Sequence, residues 1–333
     1  MIVLGGVLVL GILVFSLDSP AQIDFGSVTT TPKASSGGTK AEQVLQAPLP
    51  TNAKIHRPST LAKCNESVVT GYFRVPSKFS SEKYDKWMEN IMTIQDCMTI
   101  FTFAEKVPLI QEMRQHAEDK TVIVEIELDD LPIASIYNDD PGFWQKQLDI
   151  DREKSHHKSY QLFWIWLSKT WLVMKAIDLN FFGSEFYHYS DIGCYRNKGF
   201  NNRRIIQHPE IVPRESIAWM AHRAPNAPPT PLWNDKFKEK QHYFHSGSQA
   251  AGYVEAWKRY HLEFCRMMDA FVAKDMFIGE DQCVLQGTCQ QNPDLCVYIK
   301  STEVKDNNYF GLRYALMNGG TYNLWRMPGA TKR

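Results

Sequence analysis

Phe186-Tyr187-His188-Tyr189-Ser190-Asp191-Ile192-Gly193-Cys194-Tyr195-Arg196 opens as a strand and closes as a turn. Bulky aromatics suit a pleated, half-buried surface, so the first half reads as strand. The run then breaks on an acid, a glycine and an arginine. In open α/β sheets, ligands gather at the carboxyl ends of strands, where loops present polar groups. At such an end Asp191 is a candidate oxygen ligand for a divalent cation. Gly193 lets backbone approach a ligand closely, and Arg196 can grip phosphate through a bidentate fork. The competing reading is an ordinary Asp-x-Gly turn that ends a strand.

Upstream of this stretch, strands alternate with helices. Residues 68–73 form a first strand, 98–103 a second and 121–128 a third with acids on one face. Between them Ser80 or Ser81 caps a helix through Tyr84, Trp87, Met88 and Ile91, and Pro108 opens a short helix that continues past Met113. This alternation predicts βαβ units and a mostly parallel sheet. A long helix is expected over 143–177, broken near His156 and ended by Asn180 and Gly183. Phe163, Trp164, Leu167, Trp171 and Met174 give it an apolar face. Lys169 lies near that face, and its pattern favours a lysine that snorkels to the surface.

Downstream, Asn201-Asn202-Arg203-Arg204 is a basic polar turn, and residues 215–221 suit a further strand. Residues 224–231 hold four prolines and must be a loop. His242, His245 and Ser246-Gly247-Ser248 precede a strong helix over 252–274, in which His261 faces the packed side. Phe277-Ile278-Gly279-Glu280-Asp281-Gln282 then places two acids at a helix start. The helix dipole favours ionised carboxylates there, so capping is one reading. A general base, or an acceptor for a hydroxyl-rich ligand, is the other. Asp191 and Asp281 each follow an apolar stretch and open a turn or helix, so both are expected to face one cleft. Residues 294–299 read as the last strand.

Composition sets the limits. The 333 residues are 44% hydrophobic, with 37 basic and 37 acidic side chains, so no basic field argues for nucleic acid as a partner. Residues 2–17 are almost wholly apolar, about 16 residues against the roughly 20 of a membrane-spanning helix. Residues 1–18 are therefore read as a signal anchor or signal peptide, 19–61 as a flexible polar stalk, and 62–333 as one large folded domain. Asn65-Glu66-Ser67 is a glycosylation sequon if lumenal. Seven cysteines leave at least one thiol outside any disulfide, and no Cys-x-x-Cys suggests zinc.

Several segments, in order and spacing, carry a resemblance. Thr70-Gly71-Tyr72-Phe73, Tyr84-x-x-Trp87, Trp166-Leu167-Ser168-Lys169, Asn180-Phe181-Phe182-Gly183-Ser184-Glu185-Phe186, Ser190 to Arg196 and Phe277 to Gln282 resemble the WlaTC/HtrL (YibB-type) family, over roughly residues 65–300. The resemblance implies an α/β, GT-A-like nucleotide-sugar transferase sandwich with a mostly parallel central sheet. It implies a glycosyltransferase, hexosyltransferase-like, that moves a sugar from a nucleotide-sugar donor to a glycan or glycoconjugate acceptor. Thr70, Gly71, Lys169, Asp191, Gly193 and Arg196 would then contact the donor, and Asp281 with Glu280 would be catalytic. Many such enzymes carry Asp-x-Asp where this chain has Asp191-Ile192-Gly193. A divalent cation, Mn²⁺ or Mg²⁺, is therefore expected on Asp191 with one of the usual acids missing. The membrane partner would be the N-terminal segment, and the location a Golgi or other secretory-pathway membrane with a lumenal domain, or outside the cell after cleavage. A non-catalytic carbohydrate-binding protein of the same fold is the alternative.

Overall fold

The computed structural model describes residues 40, 43, 44, 47–225, 244–306 and 309–330. Nine strands occur among them: β1 (Lys54–His56), β2 (Glu66–Tyr72), β3 (Cys97–Thr102), β4 (Thr121–Glu125), β5 (Phe186–Ser190), β6 (Ile217–Ala221), β7 (Gln249–Tyr253), β8 (Cys296–Lys300) and β9 (Trp325–Arg326). Helices of seven residues or more are α1 (Ser81–Met92), α2 (Val107–Met113), α3 (Phe143–Ile150), α4 (Gln161–Leu167), α5 (Lys169–Leu179), α6 (Val254–Val272), α7 (Asp281–Gln291) and α8 (Leu312–Asn318).

All nine strands belong to one sheet, ordered β1-β4-β3-β2-β5-β7-β6-β8-β9. The sheet is α/β in its layers but mixed in direction, which corrects the expectation of a mostly parallel one. β2 pairs in parallel with β3 and β5, β3 with β4, and β6 with β8. β1–β4, β5–β7, β6–β7 and β8–β9 are antiparallel. The sequence reading missed β7, whose Gln249-Ala250-Ala251-Gly252-Tyr253 lacks the β-branched and large apolar residues that signal a strand. Its small side chains suit the middle of the sheet. A Cβ on Gly252 would stand 2.5 Å from Ile217 Cδ1.

Alternation along the strands fills two cores. Val69, Phe101, Val122, Val124, Trp219 and Tyr298 face one layer, with Trp171 of α5, Trp257 of α6 and Leu285 of α7. Val68, Ile100, Ile123, Met220 and Val297 face the other, with Met88 of α1, Ile110 of α2 and Leu316 of α8. On the first face α5 lies close to β2, because a Cβ on Gly71 would come within 2.9 Å of Leu172 Cδ1.

Three further expectations change. The long helix over 143–177 is four pieces, since a short turn at Lys154–His157 lies between α3 and α4 and Ser168 interrupts the run between α4 and α5. The folded unit begins before residue 62: β1 pairs with β4, Val44 is buried in the core, and the Trp171 indole N–H donates to the Ala47 carbonyl at 3.2 Å. The strand over 294–299 is also not the last, because β9 covers its edge. Disulfides join Cys64 to Cys97 and Cys289 to Cys296, while Cys194 and Cys265 are buried thiols. The apolar segment 1–18, the first part of the stalk and His242 lie outside the described residues. Among the described residues no helix is long and apolar enough to cross a membrane.

Candidate functional site

β5 delivers its aromatic run to the carboxyl edge of the sheet and ends at Ser190. Asp191 follows in extended backbone and begins the tight turn Ile192–Cys194. From the other side, α7 starts at Asp281, with Glu280 as its N-cap residue. Between the two comes α5, whose first residue is Lys169. It follows directly on the interruption at Ser168. Lys169 is not a snorkelling surface residue. It is buried, and its ammonium lies 3.2 Å from Asp191 Oδ2 and 2.8 Å from Asp281 Oδ2, and donates to the Gly247 carbonyl at 2.9 Å. An ammonium has three donors; here one goes to Asp191 and one to the Gly247 carbonyl, while Asp281 Oδ2 is an ion-pair neighbour without a hydrogen-bond partner.

The loop Ser246-Gly247-Ser248 knits these parts together. The Asp191 amide donates to the Ser248 carbonyl at 2.9 Å. Gln282 of α7 donates to the His245 carbonyl at 2.8 Å, and the Ser248 hydroxyl donates to the Tyr309 carbonyl at 2.9 Å. Gly247 has functional meaning by geometry: the Asp281 carboxylate lies where a side chain would begin, 3.1 Å from an ideal Cβ. The Tyr189 hydroxyl donates to Asp191 Oδ1 at 2.9 Å, so both oxygens of Asp191 are engaged.

Burial pushes the Asp281 carboxyl up to about 6; Lys169 opposes this and the charge of Asp191 adds to it. For Lys169 burial acts downward, but the two carboxylates outweigh it and hold the ammonium above its usual range. Asp281 thus sits near the protonation balance that general-base chemistry at neutral pH requires.

The surface above these groups is a cleft in two compartments. The first, about 260 Å³, is lined by Gly71, Phe73, Arg74, Tyr84 and Trp87 and is largely apolar. The second, about 510 Å³, is lined by Lys78, Lys169, Ser246, Glu280, Asp281 and Gln282. Trp166, Asp191, Arg196, Ser248 and Phe310 line both and form the seam. At the seam the Arg196 guanidinium lies 4.5 Å from the Trp87 ring and 4.8 Å from the Phe310 ring, with its Nε donating to the Gly193 carbonyl at 3.0 Å. Such cation–π contacts hold an exposed guanidinium in place.

Of the residues singled out from sequence, Asp191, Lys169, Arg196, Asp281, Glu280, Gly193 and Gly71 all reach this cleft. Thr70 does not. It is fully buried, and its hydroxyl donates to the Ser190 carbonyl at 2.7 Å, fastening β2 to β5 beneath the cleft. Gly71 serves first to let α5 approach β2. Sequence reasoning gave no role to Gly247, Ser248 or Phe310, nor to Arg313. Arg313 is buried, donates to the Cys194 carbonyl, pairs with Asp306, and stacks 4.2 Å from the Phe200 ring. It braces the Asp191 turn from below. The one available signal was Ser246-Gly247-Ser248, a small-polar run ahead of a helix.

The residues present fit a divalent cation poorly. Gly193 supplies no carboxylate, both oxygens of Asp191 are engaged, and a lysine ammonium already stands between Asp191 and Asp281. Among the described residues, no group of three or more His, Cys, Asp or Glu could hold a metal ion.

Comparison with known proteins agrees with the segments quoted above. The family described as "Bacterial protein of unknown function (HtrL_YibB)" matches residues 66–307. Among solved structures, that of mouse xyloside xylosyltransferase 1, in its apo form, aligns at a TM-score of 0.40 and 10% identity, covering 82% of this chain and 100% of that one. A search of curated proteins finds no match.

Proposed function

We propose that this chain, which belongs to the HtrL_YibB family, is a glycosyltransferase that moves a sugar from a nucleotide-sugar donor to a hydroxyl of a glycan or glycoconjugate. The observation that carries the reading is the pairing of Asp191 and Asp281 on one ammonium, beneath a cleft whose aromatic compartment adjoins a polar one. The aromatic compartment, with Tyr84 and Trp87 in its lining, suits a nucleoside. The polar compartment suits a sugar and the acceptor that attacks it.

In this reading the ionised Asp281 takes the proton of the acceptor hydroxyl. The hydroxyl oxygen forms a bond to the anomeric carbon, the bond to the diphosphate oxygen breaks, and its electron pair leaves with the nucleoside diphosphate. A base on the far side of the leaving group gives inversion. Asp191 orients the donor, Glu280 hydrogen-bonds acceptor hydroxyls, and Arg196 meets the developing charge on the diphosphate. The work belongs in an oxidising, secretory-type compartment, reached through the apolar segment 1–18. Two disulfides support this, because such bonds persist where thiols are not kept reduced.

The test is release of nucleoside diphosphate from a panel of nucleotide-sugars, with and without oligosaccharide acceptors. Turnover with at least one donor, lost in Asp281→Asn, supports the reading. Donor binding with no turnover under any acceptor would favour a carbohydrate-binding protein instead.

A further inference from the structure

The position between the two carboxylates is filled by a cation of the chain's own, Lys169. Resting on the transferase reading, we infer that this is a metal-independent site: the Lys169 ammonium does the bridging that a cation would do, and the donor diphosphate is neutralised by the cleft's own cationic side chains, Arg196 foremost.

Three observations carry this. First, the carboxylate oxygens that face each other already face a cation. A hard cation such as Mg²⁺ needs about six oxygen ligands in near-octahedral array. Asp191 Oδ1 accepts from Tyr189 at 2.9 Å, Asp191 Oδ2 and Asp281 Oδ2 both face Lys169 Nζ, and residue 193 is glycine. Second, Lys169 is built in. It is buried at the start of α5, its ammonium also donates to the Gly247 carbonyl at 2.9 Å, and the two carboxylates hold it protonated against burial. Third, positive charge for a diphosphate is present elsewhere. Among the described residues lining the two compartments are Arg74, Lys78, Lys169 and Arg196, against the carboxylates Asp191, Glu280 and Asp281. Arg196 stands at the seam, where a diphosphate joining a nucleoside in one compartment to a sugar in the other must pass. A guanidinium meets phosphate bidentately and needs no metal to do so.

Two measurements on the full chain test the inference. Isothermal titration calorimetry with a panel of nucleoside diphosphates is run in excess EDTA and again with Mn²⁺. At least one is expected to bind with the same affinity in both, and Arg196→Ala is expected to weaken that binding by roughly 10–100-fold. Binding that appears only with Mn²⁺ overturns the inference and leaves the transferase reading standing. Absence of binding in both conditions overturns the transferase reading and the inference with it. Thermal melting with Mn²⁺ alone supplies the second arm. The parent chain is expected to show no shift. Lys169→Ala, which vacates the place between the carboxylates, is expected to melt lower and to be raised by Mn²⁺. A parent chain that Mn²⁺ stabilises, or a folded Lys169→Ala that Mn²⁺ leaves unchanged, overturns the bridging role.

Discussion

Gly247 lies against the carboxylate of Asp281: a methyl group on its α-carbon would stand 3.1 Å from Oδ1 and 3.2 Å from Oδ2. The backbone of one loop therefore sets the position of an acid that arrives on a helix from elsewhere in the chain. Gly247→Ala is expected to displace that carboxylate by a few tenths of an ångström while leaving the fold intact. Transfer should fall by roughly 10-fold or more, given how steeply rate depends on the placement of reacting groups. Donor affinity should hold, and a melting curve close to the parent's would separate displacement from unfolding.

Asp281 itself should behave as the base. Asp281→Asn is expected to cut transfer by ~10²–10⁴-fold and to spare donor binding. The pH profile gives an independent check. Burial raises the carboxyl to about 6, and a base works only when ionised. The rate should therefore be full above that value and fall as pH drops through it. The residual activity of Asp281→Asn should lack this acidic limb. A parent profile flat from pH 5 to 8 would exclude Asp281 as the titrating base.

Arg313 should matter for stability and for the Asp191 turn together. It is 1% exposed, pairs with Asp306 and holds the Cys194 carbonyl. Breaking a buried ion pair by removing one partner costs about 3–5 kcal/mol. Arg313→Ala is expected to lose stability on that scale in urea denaturation. Arg313→Lys should recover little, since an ammonium cannot reproduce the forked contacts to Asp306 and Cys194. A loss below about 1 kcal/mol, the range of an exposed pair, would contradict the bracing role.

A chain beginning at Leu61 is expected to melt lower than one beginning at Lys40. The shorter chain lacks β1, which covers the edge of β4, and it leaves the buried Trp171 indole without the Ala47 carbonyl, a loss of about 1–3 kcal/mol. Equal melting temperatures would mean that β1 and the segment before it add nothing to the fold.

Much of this architecture was legible in the chain, and what was not has physical causes. β2, α1, β3 and α7 lie close to where periodicity and caps place them, because amphipathic patterns report burial directly. Asp191 and Asp281 were legible as strand-end and helix-start acids that share a cleft. Lys169 was not legible as a buried cation. Helical periodicity says only which face a residue shares, and the interruption at Ser168 just before Lys169 carries neither proline nor glycine. β7 escaped because strand propensity tracks bulky side chains, whereas a central strand squeezed between β5 and β6 requires small ones. β1 was hidden by the polar, proline-containing tract around it, since an edge strand of three residues needs no hydrophobic pattern of its own. The small-polar run Ser246-Gly247-Ser248 marked a loop but not the role of Gly247, which depends on the Asp281 carboxylate 3.1 Å from where its Cβ would stand.

The close approach of α5 to β2 at Gly71 has a consequence for how such a site can change over generations. The helix that carries Lys169 rests flush on a strand at the floor of the aromatic compartment, so the ammonium that joins Asp191 to Asp281 has a rigid foundation. Tyr84, Trp87 and Phe310, which would sort one nucleotide from another, stand on α1 and on the segment before α8, outside that foundation. If the chain is a transferase, substitutions in the aromatic lining should change donor preference more than they change the geometry of the Lys169 bridge. A substitution at position 71 would disturb both at once.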